Sequence, residues 1–277
     1  MAEKSLKVAA IQMSCSEDPK VNLSRAQKLI EFAVGHQAEL IAFPELGLYP
    51  WFCAEIDERM FRLAESLDGV LIHRLREIAH GLGIAIVAPL FEKDNGMHFN
   101  SMIAIDELGE IVHVYRQVHV PQLRGWEERS YFQGGASMET FELREWRIGV
   151  QIGWDNFFPE GARSLALSGA DLIIAPTASG ANSEDLWERA LSANALFNGV
   201  YIARVNRAGK EGAIRFYGAS FCTDPLGDYV AGPLGESEGV LLCDIERSAI
   251  TWARKMWPFF NDRKPKTYEE IVEEKDE

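Results

Sequence analysis

Cysteine is scarce in this 277-residue sequence, which contains only Cys15, Cys53, Cys222 and Cys243, all far apart. None of them forms a CxxC pair or a Cys/His spacing, so the sequence indicates neither a zinc site nor a disulfide framework. We therefore expect no metal and no cofactor. Reduced thiols in a cytoplasmic protein are the simplest interpretation of these four residues.

Long apolar runs and an excess of basic residues are also lacking. No segment is long enough to cross a membrane, and the residues before the first strand-like run do not resemble a signal peptide. Lys and Arg number 28 against 42 Asp and Glu, which gives a formal net charge of −14. This balance argues against nucleic acid or an anionic membrane as a partner.

The sequence has no low-complexity linker, and strand-like and helix-like segments alternate along its whole length. Residues 7–13 and 38–45 read as buried strands, and residues 22–34 carry apolar side chains at helical spacing. In the second half, helices are predicted over residues 159–168 and 184–198. We expect one mixed α/β domain over residues 1–277, with helices covering two packed sheets.

Two loops that follow predicted strands carry candidate functional residues. "FPELGLYPWF" (43–52) presents Glu45 directly after a strand and a proline, where a carboxylate could act as a general base. Taken alone, a loop glutamate facing water is the favoured interpretation. The longer loop within residues 114–135 contains Trp126 and Glu128, and loops of this length and aromatic content are commonly functional.

A third segment, "IGWDNFFPEGAR" (152–163), forms a strand-to-helix turn at Gly153. Pro159 marks the predicted helix start, and Asp155 and Asn156 are placed to cap it. Backbone N–H groups at Trp154 and Asp155 would suit an anion or a developing oxyanion in a cleft above the sheet.

Together, these segments resemble the four motifs of the carbon–nitrogen hydrolase family, also called the nitrilase superfamily, in the family's order. "AFPELGL" is similar to the motif of the glutamate base, and "YRQVHVP" to that of the lysine. "GWEERSYFQGG" is similar to the motif of the second glutamate, and "IGWDNFFPEGAR" to that of the cysteine nucleophile. The likeness runs from "VAAIQM" to "ARKMWPFFNDRKPKTY". It is greatest to the branch with N-carbamoylputrescine amidases and β-ureidopropionases.

The resemblance implies a four-layer α-β-β-α sandwich and cleavage of non-peptide C–N bonds in nitriles, amides and N-carbamoyl amines. It places the two glutamates at Glu45 and Glu128. However, Gln117 stands where the family has lysine, and Gly153 stands where it has cysteine. Since the family's thioester or thioimidate intermediate requires a thiolate, we predict that standard covalent catalysis is absent.

The remaining pocket is expected to include Trp126, Trp154, Asp155 and Cys53. Without the family's lysine, Glu45 and its carboxylate neighbours would share a cleft that has no cation. Either one carboxyl is then protonated or a positively charged ligand is preferred.

Three interpretations remain open. The chain could be an inactive member that binds a small amine, amide or carbamoyl compound, or that regulates a partner. It could be an active hydrolase that uses glutamate-activated water or another nucleophile. It could also be a purely structural subunit.

The carboxyl-terminal tail over residues 253–277 is rich in aromatic residues, including Trp257, Phe259 and Phe260. Aromatic side chains in such number are seldom left in water, and the family resemblance implies pairing through this region. We expect a homodimer or larger homo-oligomer. The alternative is that these side chains pack against their own subunit.

Overall fold

The computed structural model describes residues 5–180 and 182–273, and it contains fourteen strands and five α-helices in these residues. The helices are α1 (Pro19–Gly35), α2 (Val70–Leu82), α3 (Pro159–Leu167), α4 (Glu184–Asn198) and α5 (Arg247–Met256). The strands of the first half are β1 (Ser5–Gln12), β2 (Leu40–Ala42), β3 (Ala85–Asp94), β4 (Met97–Ile105), β5 (Ile111–Arg116), β6 (Phe141–Leu143) and β7 (Trp146–Val150). Those of the second half are β8 (Leu172–Thr177), β9 (Tyr201–Asn206), β10 (Ala208–Glu211), β11 (Ile214–Tyr217), β12 (Phe221–Thr223), β13 (Tyr229–Ala231) and β14 (Gly239–Glu246).

Two six-stranded sheets share the same plan. One has the order β14-β1-β2-β3-β4-β5 and the other β13-β12-β9-β8-β7-β6. In each sheet three central strands are parallel, β1-β2-β3 and β7-β8-β9, and antiparallel strands flank them. The strands β10 and β11 form a separate hairpin.

The buried side chains form three clusters that separate four layers. One cluster joins α1 and α2 to the outer face of the first sheet, and another joins α3 and α4 to the second sheet. The third lies between the sheets and contains alternate residues of facing strands, such as Val8 of β1 and Ala203 of β9. This α-β-β-α sandwich confirms the expected fold.

The expected helix over residues 184–198 coincides with α4, and the helix expected over 159–168 ends one residue earlier. The sequence did not predict β6 or the β10–β11 hairpin. β6 has three residues and the two hairpin strands have four each. Five of the eight hairpin residues are not buried, so the apolar alternation is too short to recognise. No helix among residues 5–180 and 182–273 is long and apolar enough to span a membrane.

The aromatic residues of the tail divide into two groups. Phe260 packs against its own subunit, where the guanidinium groups of Arg163 and Arg254 lie 4.9 and 5.7 Å from its ring centre. Trp257 and Phe259 stack on each other and remain exposed. Packing against its own subunit, the alternative considered for the tail aromatics, therefore applies to Phe260 and not to Trp257 and Phe259.

A buried ion pair fixes the loop that follows β2. Arg207, which is fully buried, pairs with Glu211 at 2.7 Å and donates to the carbonyls of Glu45, Leu46 and Tyr49. Glu211 also accepts from the Trp51 N–H at 2.8 Å. One guanidinium thus satisfies three backbone carbonyls of an irregular buried loop, which is the loop that carries Glu45.

We predict that Glu211→Gln lowers the free energy of unfolding by about 3–5 kcal/mol, because it leaves the Arg207 charge buried without its partner. The matched control is Glu236→Gln, which breaks the exposed pair of Glu236 with Arg215. This control should cost less than about 1 kcal/mol. Urea denaturation of both variants measures the difference, and equal losses would contradict the role assigned to the buried pair.

Candidate functional site

The site lies where the carboxyl ends of strands from both sheets meet. Glu45 follows β2, Gln117 follows β5, Gly153 follows β7, and residues 178–180 follow β8. Because β5 runs in the same direction as β2 and β3, its last residue reaches the same edge of the first sheet. Glu128 arrives on a 3₁₀ turn in the loop after β5. The four positions that the family motifs single out are thus brought together.

A cavity of about 540 Å³ opens at this edge. Its lining residues are Glu45, Pro121, Leu123, Trp126, Glu128, Gly153, Trp154, Phe157, Ala178, Ser179, Gly180, Ser183, Leu186 and Trp187. Two carboxyl groups and several aromatic faces dominate this wall. No lysine, arginine or histidine is found among the described residues that line it.

An amide relay holds the Glu45 carboxyl. The Asn100 side-chain N–H₂ donates to Glu45 Oε1 at 2.8 Å and to Gln117 Oε1 at 3.1 Å. The Gln117 amide in turn donates to the Ile152 carbonyl at 3.5 Å. Gln117 therefore stays within the site as a neutral hydrogen-bonding residue and places no positive charge there.

Both carboxyl groups are deeply buried and hold their protons more tightly than usual. Burial raises the pKa of Glu45 to about 8, although the Asn100 amide opposes this rise. Burial also raises the pKa of Glu128 well above its ordinary range, and the charge of Glu45 adds to the effect. Glu128 Oε2 has no hydrogen-bond partner among the residues described. At neutral pH the wall therefore contains at least one protonated carboxyl.

The nearest arginines are engaged elsewhere. Arg116, next to Gln117 in sequence, binds Glu92 at 2.5 and 2.8 Å and Asp94 at 2.8 Å. The Arg207 guanidinium contacts the backbone of the Glu45 loop and not its carboxyl group. Neither residue takes the place of the lysine in the family motif.

Gly153 lies directly beneath the Glu45 carboxyl. Its φ of +46° is a left-handed conformation that favours glycine. A Cβ atom added there would lie 2.7 Å from Glu45 Oε2 and 3.0 Å from Oε1. The Glu45 carboxyl thus stands against the space that a side chain at position 153 would need.

Asp155 does not play the role expected of it. It neither caps α3 nor lines the cavity, since it is fully buried and α3 begins without a side-chain cap. Instead its carboxylate accepts from the Tyr115 hydroxyl at 2.6 Å, and from the His119 N–H at 2.8 Å and ring Nδ1 at 2.9 Å. Asn156 likewise donates to the carbonyls of Gln151 and Gly153 rather than capping the helix. These contacts fix the turn at Gly153.

The other expected pocket residues differ in their outcome. Trp126 and Trp154 line the cavity. Cys53 does not, because its side chain is fully buried in the core beneath the first sheet's helices. Of the two N–H groups considered for an oxyanion, that of Asp155 donates to the Ile152 carbonyl at 3.0 Å. Only the Trp154 N–H is left without a backbone partner in the described chain.

Sequence reasoning missed Asn100, Tyr115 and Arg207. Asn100 and Tyr115 lie in strands whose apolar neighbours hide them, and their partners are 55 and 40 residues away in sequence. The signal that could have found them is a polar residue at a buried position of a strand, since such residues require a partner. No group of His, Cys, Asp or Glu in residues 5–180 and 182–273 is arranged to hold a metal ion.

Comparison with known proteins gives consistent matches. The carbon–nitrogen hydrolase family model matches residues 7–255. An N-carbamoylputrescine amidase from Solanum lycopersicum is 34% identical, over 98% of this chain and 97% of its own. A carbon–nitrogen hydrolase from Helicobacter pylori G27 superposes with a TM-score of 0.92 at 28% identity, covering 98% and 99% of the two chains. A double mutant of the amidase from Nesterenkonia sp. AN1, in complex with acrylamide, gives 0.83 at 25% identity, covering 96% and 97%.

We predict that Gly153→Ala destabilises the protein more than Gly212→Ala. Both glycines have positive φ, +46° and +57°, but a Cβ at Gly212 meets nothing within 4 Å. In each variant the free energy of unfolding should fall by about 1–2 kcal/mol, because alanine is strained in the left-handed backbone conformation. Gly153→Ala should lose about 1 kcal/mol more, because the Glu45 carboxyl must move. Equal losses in urea denaturation would show that this contact is unimportant.

The Glu45 pKa also predicts how stability depends on pH. Its ordinary value of 4.5 rises to about 8 in the folded chain. The folded state then binds the proton more tightly, so this contribution to stability is complete below pH 4.5 and is lost as the pH rises toward 8. We expect the free energy of unfolding of Glu45→Gln to fall less between pH 5 and pH 8 than that of the wild type. The exposed control Glu17→Gln should follow the wild type, and a parallel profile for Glu45→Gln would refute the shift.

Proposed function

The chain belongs to the carbon–nitrogen hydrolase family, and we propose that it keeps the family's small-molecule cavity without the covalent step. The observation that carries the proposal is Gly153, which puts no side chain beneath the Glu45 carboxyl in an otherwise well-formed cavity. Covalent catalysis of this type needs a nucleophile at that point.

No other cysteine is placed to take over. Burial raises the pKa of the Cys15 thiol to about 12 and that of Cys53 well above its ordinary range, so neither is a ready thiolate. Cys222 and Cys243 lie in the core between the two sheets. None of these four residues lines the cavity.

The cavity itself supports a small ligand. Its volume of about 540 Å³ and its mixture of aromatic walls with two carboxyl groups are typical of small-molecule sites. The relative from Solanum lycopersicum is named for an N-carbamoyl amine. The Nesterenkonia amidase variant with acrylamide has one glutamate and one cysteine replaced, so related chains can hold a small amide after such changes. We infer a small amine, amide or carbamoyl ligand.

One observation favours an alternative. Glu45 has a pKa of about 8 and shares the cavity wall with Glu128, so a proton could be exchanged there near neutral pH. Glutamate-activated water could then attack a C–N bond directly. This route would have no cation to stabilise the developing oxyanion, because no basic side chain lines the described part of the wall.

The surface supports a homo-oligomer as part of the proposal, and the cytoplasmic location stays a prediction. Leu167 and Phe197 on α3 and α4 are about half exposed, as are Trp257 and Phe259 of the tail. A second cavity of about 570 Å³ lies between these helices and tail residues 263–272. Apolar surface of this extent on neighbouring elements is typical of subunit contacts.

The test is an assay of the wild type, Gly153→Cys, Gln117→Lys and the double variant on nitriles, amides and N-carbamoyl amines. We expect turnover only in the double variant, since it alone restores both a nucleophile and a cation. The turnover measured with Glu45→Gln defines the background rate of the assay. Wild-type turnover above that background would refute the proposal and favour activated water. Calorimetry with carbamoyl amines and alkylamines tests the ligand, and no binding of any member would favour a structural subunit.

A further inference from the structure

We propose that this cavity selects planar N–C–N cations, namely amidinium and guanidinium groups, over the neutral amides and ureas of the same shape. The inference rests on the proposed ligand-binding function and specifies the chemistry of its ligand. It follows from three features of the wall: its charge, its unpaired carboxyl oxygen and its aromatic faces.

The charged groups around the cavity are predominantly acidic. Glu45 and Glu128 line it, and Asp155 lies behind Gly153 with its carboxylate already bound to Tyr115 and His119. Arg207 is the cation close to Glu45, and Glu211 and three backbone carbonyls occupy it. A ligand that brings a positive charge relieves the repulsion between the two lining carboxyl groups.

One carboxyl oxygen of the wall lacks a hydrogen-bond partner. The Asn100 amide donates to Glu45 and Gln117, and the Gln117 amide donates to a carbonyl. Among the lining side chains, Glu128 Oε2 and the Ser179 hydroxyl are buried and have no partner in the described residues. Guanidinium and amidinium groups have N–H donors and no acceptor, whereas an amide or urea brings a carbonyl oxygen that needs a donor. The unpaired Glu128 oxygen therefore matches the cations.

The aromatic wall favours a planar cation over a simple ammonium. Trp154, Phe157 and Trp187 form a continuous row, with ring centres 5.8 and 4.5 Å apart, and Trp126 also lines the cavity. A guanidinium stacks on aromatic faces and is less strongly hydrated than an ammonium. It therefore loses less when it leaves water for an apolar cavity.

Matched ligands test the inference by isothermal titration calorimetry. N-propylguanidine is compared with N-propylurea, acetamidine with acetamide, and propylamine serves as the ammonium. At pH 8.5 we expect each planar cation to bind at least about tenfold more tightly than its neutral isostere. Propylamine should bind more weakly than propylguanidine. Neutral members that bind as tightly as the cations would overturn the selectivity while leaving the proposed function intact, and no binding by any ligand would refute both.

The pH dependence provides a second readout. Because a cation requires ionised carboxyl groups that hold protons in the free protein, its binding should release protons. Between pH 8 and pH 6 the affinity for propylguanidine should fall by up to about tenfold per pH unit for each proton released. The affinity for propylurea should change little. Parallel pH profiles for the two ligands would contradict the inference.

Variants test whether the preference for planar cations comes from the residues that line the cavity. Glu128→Gln should weaken the binding of propylguanidine at least about tenfold and the binding of propylurea less than about threefold. Its matched control is Glu127→Gln, whose carboxylate bonds to Gln122 and does not line the cavity, and which should leave both affinities unchanged. Gln117→Lys should abolish the preference for the cation. Its control, Gln27→Lys on α1, makes the same charge change far from the cavity and should leave the preference unchanged. Circular dichroism verifies folding, and equal effects of Glu128→Gln and Glu127→Gln would overturn the assignment.

Discussion

The burial of two carboxyl groups in one cavity wall is the constraint on which the rest of the site depends. Glu45 and Glu128 are each about 2% exposed, and the described lining residues include no cation. Keeping both ionised in so little solvent is unfavourable, which is why burial raises the pKa of each. The wall can remain neutral by protonation or accept positive charge from a ligand. The protonation of the two carboxyl groups and the proposed preference for a cationic ligand both follow from this choice.

The surrounding framework does not depend on a lysine at position 117 or a cysteine at position 153. Arg207 and Glu211 fix the loop of Glu45, while Asp155 fixes the turn at Gly153 through Tyr115 and His119. None of these hydrogen bonds requires a thiol or an ammonium in the cavity. A family member can therefore lose both groups and still keep the cavity in shape. Arg207, Glu211, Asp155, Tyr115 and His119, which hold these two segments in place, are not among the residues that line the cavity.

The sequence predicted the layered fold well, because periodic apolar segments indicate helices and strands locally and the resemblance to the family implied their arrangement in four layers. Through the family motifs it also singled out Glu45, Gln117, Glu128 and Gly153; the structure gathers them at one edge, and their roles stay a prediction. It failed where the answer depends on contacts between distant residues. Cys53 lies near Glu45 in sequence, yet its side chain turns into the core. Asp155 was predicted to cap a helix, but its carboxylate is hydrogen-bonded to Tyr115 and His119 of another segment. Residue type and spacing do not determine such pairings.

The two departures from the family motifs are physically linked. A thiol at position 153 could give its proton to Glu45, whose pKa burial raises to about 8, but no basic side chain lines the described wall to stabilise the oxyanion that would follow. A lysine at position 117 would lower that pKa, yet it would have no nucleophile to serve. The Cβ of a residue at 153 would also press on the Glu45 carboxyl, at 2.7 Å from Oε2, unless a cation drew the carboxyl aside. Groups that act as a unit contribute little when one is present without the other, so a lone thiol or a lone cation in this cavity would be of little chemical use.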